Sequence, residues 1–404
     1  MFDQKMQSIL NYFNKHQMIT LGLFVFIWGV TTLSVWKRYE WNPTSMINFG
    51  LEFADLNKRE TPANAVLFKG EEGNLGAGYD GQIFYYYSRT LSNFNLDWPL
   101  GFDQSYRAPR IGFPFLISLF GIFGKYAAIF GMYFWNVSLL LGSYFCLRSL
   151  LSAETKPFAI FYLLNPFALG SYYLLVSDSV MVSLVVIAYY LYIRTKYFPF
   201  VITASLAILT KEPALFLFFP LGLKELFSLN WKKIFIVASI LIIPIFWHSY
   251  LSFTFPEWRV ARLTDFILPF EGLVSYMEVF VSNVIDFTSA KEFVRVFQRF
   301  PLVFAFFIVL FLPFTGKLKH GYEFRIGILL VMFMVGTAGF YHFWSIYDNV
   351  ARMFTLSVPL IILLRNADGS VVIKYYFYTV LFILILFLIK TILFAKTMPY
   401  QIGF

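Results

Sequence analysis

Long apolar runs recur along almost the whole chain, and they constrain its fold more than any other feature of the sequence. Residues 18–36 and 375–394, near the two ends, each approach the roughly 20 apolar residues that one membrane-spanning helix needs. Apolar residues make up 59% of the 404 residues and charged residues only 14%. Ordinary soluble domains have about 45–50% and about 25%. We therefore predict an all-α polytopic membrane protein.

Eleven of these runs are predicted to cross the membrane. They are residues 18–36, 126–147, 157–176, 179–193, 199–209, 214–223, 234–251, 301–314, 326–343, 353–364 and 375–394. A further run, residues 111–124, is short and is expected to lie in the membrane interface. Residues 199–209 and 214–223 are short for full crossings, so we expect half-helices that meet inside the protein.

The distribution of Lys and Arg supports an interfacial position for residues 111–124. With that position, the short loops on the side of the N-terminus carry fourteen Lys and Arg residues, and the opposite short loops carry three. Cytoplasmic loops collect Lys and Arg, so the N-terminus is predicted to be cytoplasmic. The longer polar segments, within residues 37–125 and 252–300, are then external parts of one integral membrane domain, residues 1–404.

Several function classes lack their motifs. The sequence has no G-x-x-x-x-G-K-[ST] phosphate loop, no H-E-x-x-H and no C-x-x-C, so ATP-driven pumping and zinc hydrolysis are unsupported. It has no basic stripe of the kind that binds nucleic acid, so the formal charge of +9 reflects membrane topology instead.

Ionisable residues collect at the predicted external helix ends. They are Asp178, Lys211, Glu212, Asp348 and Arg352, joined by Gly78-Tyr79-Asp80-Gly81-Gln82 and Tyr106-Arg107-Ala108-Pro109-Arg110 in the first external segment. Ionisable groups near a membrane interior are unfavourable, so several at one level indicate a shared cavity or mutual pairing. The alternative is that each one caps a helix end at the interface.

The sharpest local pattern surrounds Asp80. Gly78 and Gly81 bracket this carboxylate in a turn, and an aromatic run, residues 83–87, follows it. Such a run suits the boundary between water and lipid, or stacking on a sugar. A carboxylate held there can act as a general base or bind a cation; the alternative is an Asp-Gly turn under an aromatic belt.

Two basic elements suit an anionic ligand. Arg107 and Arg110 lie three residues apart and point the same way on a helical turn, an arrangement that suits a phosphate or, alternatively, lipid headgroups. Lys211 stands beside Glu212 between two short apolar runs, so we expect the two to pair.

The order of these features resembles the GT-C superfamily of integral membrane glycosyltransferases. The segments Gly78-Tyr79-Asp80-Gly81-Gln82 and Tyr106-Arg107, with Arg110 ahead of Gly112-Phe113-Pro114-Phe115-Leu116, are similar to bacterial relatives of the GPI mannosyltransferases. Asn165-Pro166-Phe167, Ser177-Asp178-Ser179 and Leu209-Thr210-Lys211-Glu212-Pro213-Ala214-Leu215 resemble later stretches of those proteins. The resemblance covers roughly residues 1–230, with a weaker match at 347–359.

The resemblance implies transfer of a sugar, mannose or another hexose, from a polyprenyl-phosphate carrier at the external face of a bacterial inner membrane. The acceptor, whether glycan, lipid or protein, is not implied. The catalytic candidate of the family falls on Asp80. Many members have two adjacent acids here, whereas Tyr79 and Gly81 flank Asp80. No cofactor is therefore assigned, and a divalent cation is left open.

The chemistry of that reaction matches the residues. A base must take the proton of the acceptor hydroxyl, and cations must stabilise the departing phosphate. Asp80 is predicted to be the base. Tyr79, Gln82, Arg107, Arg110, Asp178, Lys211, Glu212, Asp348 and Arg352 are predicted to bind substrate, with Glu212 and Asp348 orienting the cations or replacing Asp80 as the base.

Two other functions stay open. A secondary transporter or lipid flippase usually places ionisable groups near the bilayer midplane, between structural repeats, and no repeat is visible here. The other is a noncatalytic scaffold or a degenerate relative of the family.

Overall fold

Helices dominate the computed structural model, which describes residues 2–70, 78–94, 97–255, 268–287 and 289–404. The α-helices of these residues are α1 (Phe2–Lys15), α2 (Gln17–Arg38), α3 (Leu51–Leu56), α4 (Asp80–Ser92), α5 (Gln104–Arg107), α6 (Gly112–Gly121), α7 (Lys125–Leu150), α8 (Ala159–Leu163), α9 (Pro166–Tyr173), α10 (Asp178–Ile193), α11 (Tyr197–Thr210), α12 (Leu215–Phe227), α13 (Trp231–Ala238), α14 (Ile242–Thr254), α15 (Glu271–Ile285), α16 (Ala290–Phe297), α17 (Phe300–Phe311), α18 (Tyr322–Gly336), α19 (Tyr347–Met353), α20 (Ser357–Ala367) and α21 (Lys374–Ile389). Of the predicted second external segment, residues 256–267 and 288 lie outside this description.

Six helical stretches in the described part of the chain are long and apolar enough to cross a membrane. They are Gln17–Arg38, Lys125–Leu150, Trp231–Thr254, Glu292–Phe314, Tyr347–Ala367 and Lys374–Phe394. Helices α6, α10 and α11 are apolar but shorter. The chain is thus a predominantly helical protein with the helices of an integral membrane protein.

Breaks in the other apolar runs have local causes. The predicted run 157–176 is divided because Asn165 caps α9 through the backbone N–H of Phe167 at 3.0 Å, and Pro166 begins that helix. Helices α11 and α12 are separated by Lys211, which is extended, and by a 3-10 turn over Glu212–Ala214. These breaks leave backbone groups at helix ends that the helices do not pair internally, and polar side chains can collect there.

Helix α6 lies within the run predicted to be interfacial. Its 10 residues span about 15 Å, which is half of a bilayer's hydrocarbon core. It packs against α4 and α7, and a methyl group at Gly112 would meet the Thr210 side chain and backbone at 2.4 and 2.6 Å. Close packing at Gly112 therefore brings the first polar segment against the end of α11.

A small β-sheet departs from the all-α prediction. Strands β1 (Phe49–Gly50) and β2 (Val66–Phe68) pair in parallel, and β2 pairs antiparallel with β3 (Tyr400–Ile402) at the C-terminus. Strands of two or three residues carry too little alternation to be recognised in the sequence. The sheet joins the C-terminal residues to the first polar segment.

Contacts between helix ends form two groups. One group, here called the basic end, joins the ends of different helices through the contacts Arg148–Asn14, Ser152–Asn366, Lys224–Glu323 and Arg325–Asp368. The other group, here called the sheet end, contains the three strands and the contacts Lys125–Thr61, Trp247–Ala108 and Met398–Tyr39. The fold therefore has two polar ends separated by apolar helices.

Candidate functional site

Asp80 is the first residue of α4, at the sheet end. Tyr79 precedes it in an extended conformation, and its N–H donates to the carbonyl of Asn48 at 3.1 Å. A carboxylate in the first helical turn interacts favourably with the N-terminal end of the helix dipole. Gly78 and Gly81 indicated a turn around Asp80. In the structure this turn begins a helix, and Asp80 lies at the N-terminal end of that helix.

Gly81 allows α4 to approach its neighbours. A methyl group at this position would lie 2.7 Å from the carbonyl oxygens of both Ile47 and Leu174. Backbone oxygens cannot move aside as a flexible side chain can, so only glycine fits. The close approach fixes Asp80 against the segment that leads from α9 to α10.

Gly81→Ala is expected to destabilise the protein, because overpacking of this kind typically costs about 1–3 kcal/mol. The control is Gly142→Ala in α7, where the added methyl group meets nothing within 4 Å. Thermal unfolding of the two purified variants in detergent gives the comparison. Equal midpoints for both would contradict the packing described for Gly81.

Two arginines hold the Asp80 carboxylate. Arg107 Nη1 lies 2.5 Å from Asp80 Oδ1, and both terminal nitrogens of Arg352 lie 3.2 Å from Oδ2. Burial acts to raise the pKa of Asp80, but the charges of Arg107 and Arg352 outweigh it and hold the pKa below its usual range. Asp80 is therefore an ionised acceptor whose two oxygens are both engaged.

Asp178 contacts two of the cations, Lys211 and Arg352. Its side chain is only 4% exposed, Oδ1 lies 2.5 Å from Lys211 Nζ, and Oδ2 lies 3.9 Å from Arg352 Nη1. Oδ2 has no hydrogen bond. One buried carboxylate thus keeps an ammonium and a guanidinium side by side, each of them more exposed than itself.

Lys211 does not pair with Glu212, so that expectation is wrong. Glu212 accepts from Arg110 Nε at 2.9 and 3.2 Å, and its side chain is 55% exposed. Lys211 is extended and Glu212 begins a 3-10 turn, so neighbouring side chains diverge. Arg110 and Glu212 close the site on the side of α6.

Arg107 and Arg110 share a ring but not a carboxylate. Their guanidinium carbons lie 5.2 and 4.3 Å from the centre of the Tyr106 ring. Helix α5 ends at Arg107, and a single turn, in which the N–H of Arg110 donates to the carbonyl of Arg107 at 3.1 Å, joins the two arginines as expected. Each arginine is directed to its own acid, Asp80 or Glu212.

Tyr79 and Gln82 have supporting contacts. The Tyr79 hydroxyl donates to Asn349 Oδ1, and the Arg352 guanidinium lies 5.2 Å from the centre of the Tyr79 ring. Gln82 is buried, and its Oε1 accepts from the backbone N–H of Gly50 at 2.9 Å. Gln82 therefore attaches α4 to β1, while the Tyr79 ring packs against the Arg352 guanidinium.

Asp348 does not orient the predicted cations. Its Oδ2 lies 3.5 Å from Lys390 Nζ, which in turn lies 4.9 Å from the centre of the Tyr347 ring. Asp348 and Arg352 both belong to α19, but they are directed to different partners. Sequence reasoning missed Lys390 because it lies in the last apolar run, and it missed Asn349 because an amide beside Asp348 gives no separate signal.

The site has an excess of positive charge. Its ion pairs join four cations, Arg107, Arg110, Lys211 and Arg352, to three carboxylates, Asp80, Asp178 and Glu212. One anionic group would balance this set, and the exposed sides of the cations can donate hydrogen bonds to it. The arrangement can therefore bind a phosphate next to a carboxylate.

The same residues do not fit a divalent cation. No group of three or more His, Cys, Asp or Glu side chains in the described ranges could hold a metal ion. Both oxygens of Asp80 contact guanidinium nitrogens, and Asp178 contacts Lys211. The positive neighbours would repel a metal ion from these acids.

Comparisons with protein-family models, with curated proteins and with solved structures find no match to this chain.

Proposed function

We propose that this chain is a GT-C-type membrane glycosyltransferase. It moves a hexose from a polyprenyl-phosphate-linked donor to an acceptor hydroxyl at the external membrane face. The observation that carries this proposal is the Asp80–Arg352–Asp178–Lys211 network, which joins a carboxylate to phosphate-binding cations at one end of the helices. Sugar transfer from a lipid phosphate needs this pair of functions at one place.

The path of the chain supports the eleven-span arrangement. If each apolar element runs from one of these ends to the other, the chain crosses the membrane eleven times. The passing elements are α2, α7, α8 with α9, α10, α11, α12, α13 with α14, α17, α18, α19 with α20, and α21. An odd number of passes agrees with a C-terminal strand that pairs in the first polar segment, away from α1.

A reporter inserted within residues 37–110 and one fused after the C-terminus are expected on the same side of the membrane, because β2 and β3 pair. A reporter within residues 317–325 is expected on the opposite, cytoplasmic side, with the other Lys and Arg residues of the basic end. Accessibility of each reporter in intact cells measures this. Reporters at 37–110 and 317–325 on the same side would sink the eleven-span arrangement.

Before the donor binds, Arg107 and Arg352 occupy both oxygens of Asp80, the proposed base, and prevent it from accepting a proton. The donor phosphate competes with Asp80 for Arg107 and Arg352, and Asp80 released from them accepts the proton of the acceptor hydroxyl. The acceptor oxygen forms its bond to the anomeric carbon as the bond from that carbon to the phosphate oxygen breaks. The phosphate takes that electron pair, and Lys211 and Arg352 stabilise the charge that develops on it.

The pH dependence of transfer tests this contact of the arginines with Asp80. Activity falls when acid protonates Asp80, and Arg107 helps to keep the pKa of Asp80 low. In Arg107→Gln that pKa rises, so the acidic limb of kcat/KM, which reports the free enzyme, is expected to move to higher pH. An acidic limb at the wild-type pH, measured at matched donor concentrations, would separate Asp80 from the proton transfer.

One experiment distinguishes sugar transfer from transport of a lipid or solute. Protein reconstituted in vesicles is supplied with a polyprenyl-phosphate hexose and a mixture of glycan and lipid acceptors. The proposal predicts a new glycoside and free polyprenyl phosphate. Movement of the lipid or of a solute across the vesicle membrane with no glycoside formed would favour the transporter or flippase. The position of the ionisable cluster at one end of the helices favours transfer.

A further inference from the structure

The carbonyl oxygen of Ala108 accepts two side-chain hydrogen bonds that come from distant parts of the chain. Ala108 is buried within residues 107–110, here called the arginine turn because an arginine lies at each end. The Tyr87 hydroxyl and the indole Nε1 of Trp247 each lie 3.0 Å from this oxygen. A carbonyl oxygen has two lone pairs, so these two donors satisfy it.

Tyr87 connects the arginine turn to α4, the helix that begins at Asp80. The two residues are seven apart, so they lie on the same face of the helix, about 10 Å apart along its axis. Tyr87 is buried, and the centre of its ring lies 5.5 and 5.3 Å from the ring centres of Trp98 and Phe102. The helix that carries the acid therefore also holds the arginine turn.

Trp247 reaches the same carbonyl from α14, which contributes no charged residue to the site. Helices α13 and α14 form Trp231–Thr254, the least buried of the six candidate spans. The indole stacks on Tyr250, with ring centres 5.5 Å apart, and an indole N–H in such a place needs an acceptor. The carbonyl of Ala108 is that acceptor. The arginine turn is thus held between α4 and a largely exposed apolar helix.

We propose that Trp247 is a positioning residue for the donor phosphate and acts through the arginine turn. In the free protein the acids help to hold the arginines, since Arg107 Nη1 lies 2.5 Å from Asp80 Oδ1. When a phosphate replaces Asp80 at Arg107, the backbone of the turn must keep the guanidinium in place. The hydrogen bond from Trp247 supplies that support. The kinetic part of this inference rests on the proposed function, whereas the support of the turn does not.

Amide hydrogen exchange of the full chain in detergent tests this support directly. Trp247→Phe removes the indole N–H and keeps an aromatic ring. The amides of Arg107 and Arg110, both hydrogen-bonded to backbone carbonyls, are expected to exchange about 2–10-fold faster, because one neutral hydrogen bond is lost. Trp135→Phe is the matched control, since that indole donates to the carbonyl of Leu116 in α6. Unchanged exchange in Trp247→Phe, or equal acceleration in Trp135→Phe, would overturn the proposal.

Transfer kinetics test what the support does for the donor. Trp247→Phe is expected to raise KM for a polyprenyl-phosphate hexose about 2–10-fold. It should leave kcat near the wild-type value, because Asp80, Lys211 and Arg352, which act on the reacting groups, lie on other elements. In the double variant Tyr87→Phe with Trp247→Phe, the buried carbonyl loses both donors. KM is then expected to rise by more than the product of the two single effects.

The split between KM and kcat separates positioning from a structural defect. A structural defect lowers the fraction of active protein and therefore kcat, and it leaves KM unchanged. A wild-type KM in Trp247→Phe, with or without a lower kcat, would overturn the proposal even if exchange were faster. Absence of transfer by the wild-type protein would instead refute the proposed function, while the exchange comparison would still decide whether Trp247 supports the arginine turn.

Discussion

Asp80→Asn is expected to lower kcat for sugar transfer by about 10²-fold or more, the usual contribution of a general base. The amide keeps the shape of the carboxylate but cannot take the proton of the acceptor. It also presents an N–H to Arg107 or Arg352, so one of the two contacts with Asp80 is lost. Initial rates at saturating donor, measured on folded protein, give the comparison.

Glu60→Gln is the matched control for Asp80→Asn. Glu60 also belongs to the first polar segment and also pairs with an arginine, Arg89 Nε at 3.0 Å, but it lies outside the site. Its loss tests whether breaking any acid–arginine pair in this segment lowers transfer. Near-normal turnover in Asp80→Asn would move the role of base to Glu212, because Asp348 is directed to Lys390.

Lys211→Met is expected to lower both kcat and the affinity for the donor. The methionine keeps most of the stem and removes the charge that stabilises the departing phosphate, a loss typical of about 10²–10³-fold in kcat for one such group. Asp178 would then keep only its 3.9 Å approach to Arg352 and remain buried with little compensation. A KM effect alone would confine Lys211 to ground-state binding.

Two further variants separate charge from structure at Lys211. Lys125→Met removes an ammonium that donates to the Thr61 carbonyl at 3.0 Å at the same end of the molecule, and wild-type kinetics are expected for it. The double change Lys211→Met with Asp178→Asn removes the ammonium together with its buried partner charge. If it recovered stability but not kcat, Lys211 would act on the substrate. Wild-type kinetics in Lys211→Met would leave it a structural ion pair.

The residues of the site could be found from the sequence because their patterns are local. Asp80 and Gly81 belong to one turn, and Arg107 lies in a short basic motif soon after it. Arg352 stood out as a charge beside a long apolar run. An ionisable group at such a place needs a partner, and this requirement is visible without coordinates.

The pairing within the site was not readable, because it depends on which helices are neighbours. Lys211 has Glu212 beside it in sequence, yet it contacts Asp178 because the start of α10 lies against the end of α11. The pairing of Asp348 with Lys390 likewise joins separate helices. The sheet was missed for the same reason, since β3 finds its partner only after the chain has folded.

Sugar transfer is measured most directly by counting both products formed by purified protein from a radiolabelled polyprenyl-phosphate hexose, with acceptor lipids present. The wild-type protein should form one glycoside for each polyprenyl phosphate that it releases. With Asp80→Asn both products should form about 10²-fold or more slowly, whereas Glu60→Gln should match the wild type. Equal release of polyprenyl phosphate by wild type and Asp80→Asn would contradict the role of Asp80 as the base. Release by neither protein with any such donor would contradict sugar transfer itself.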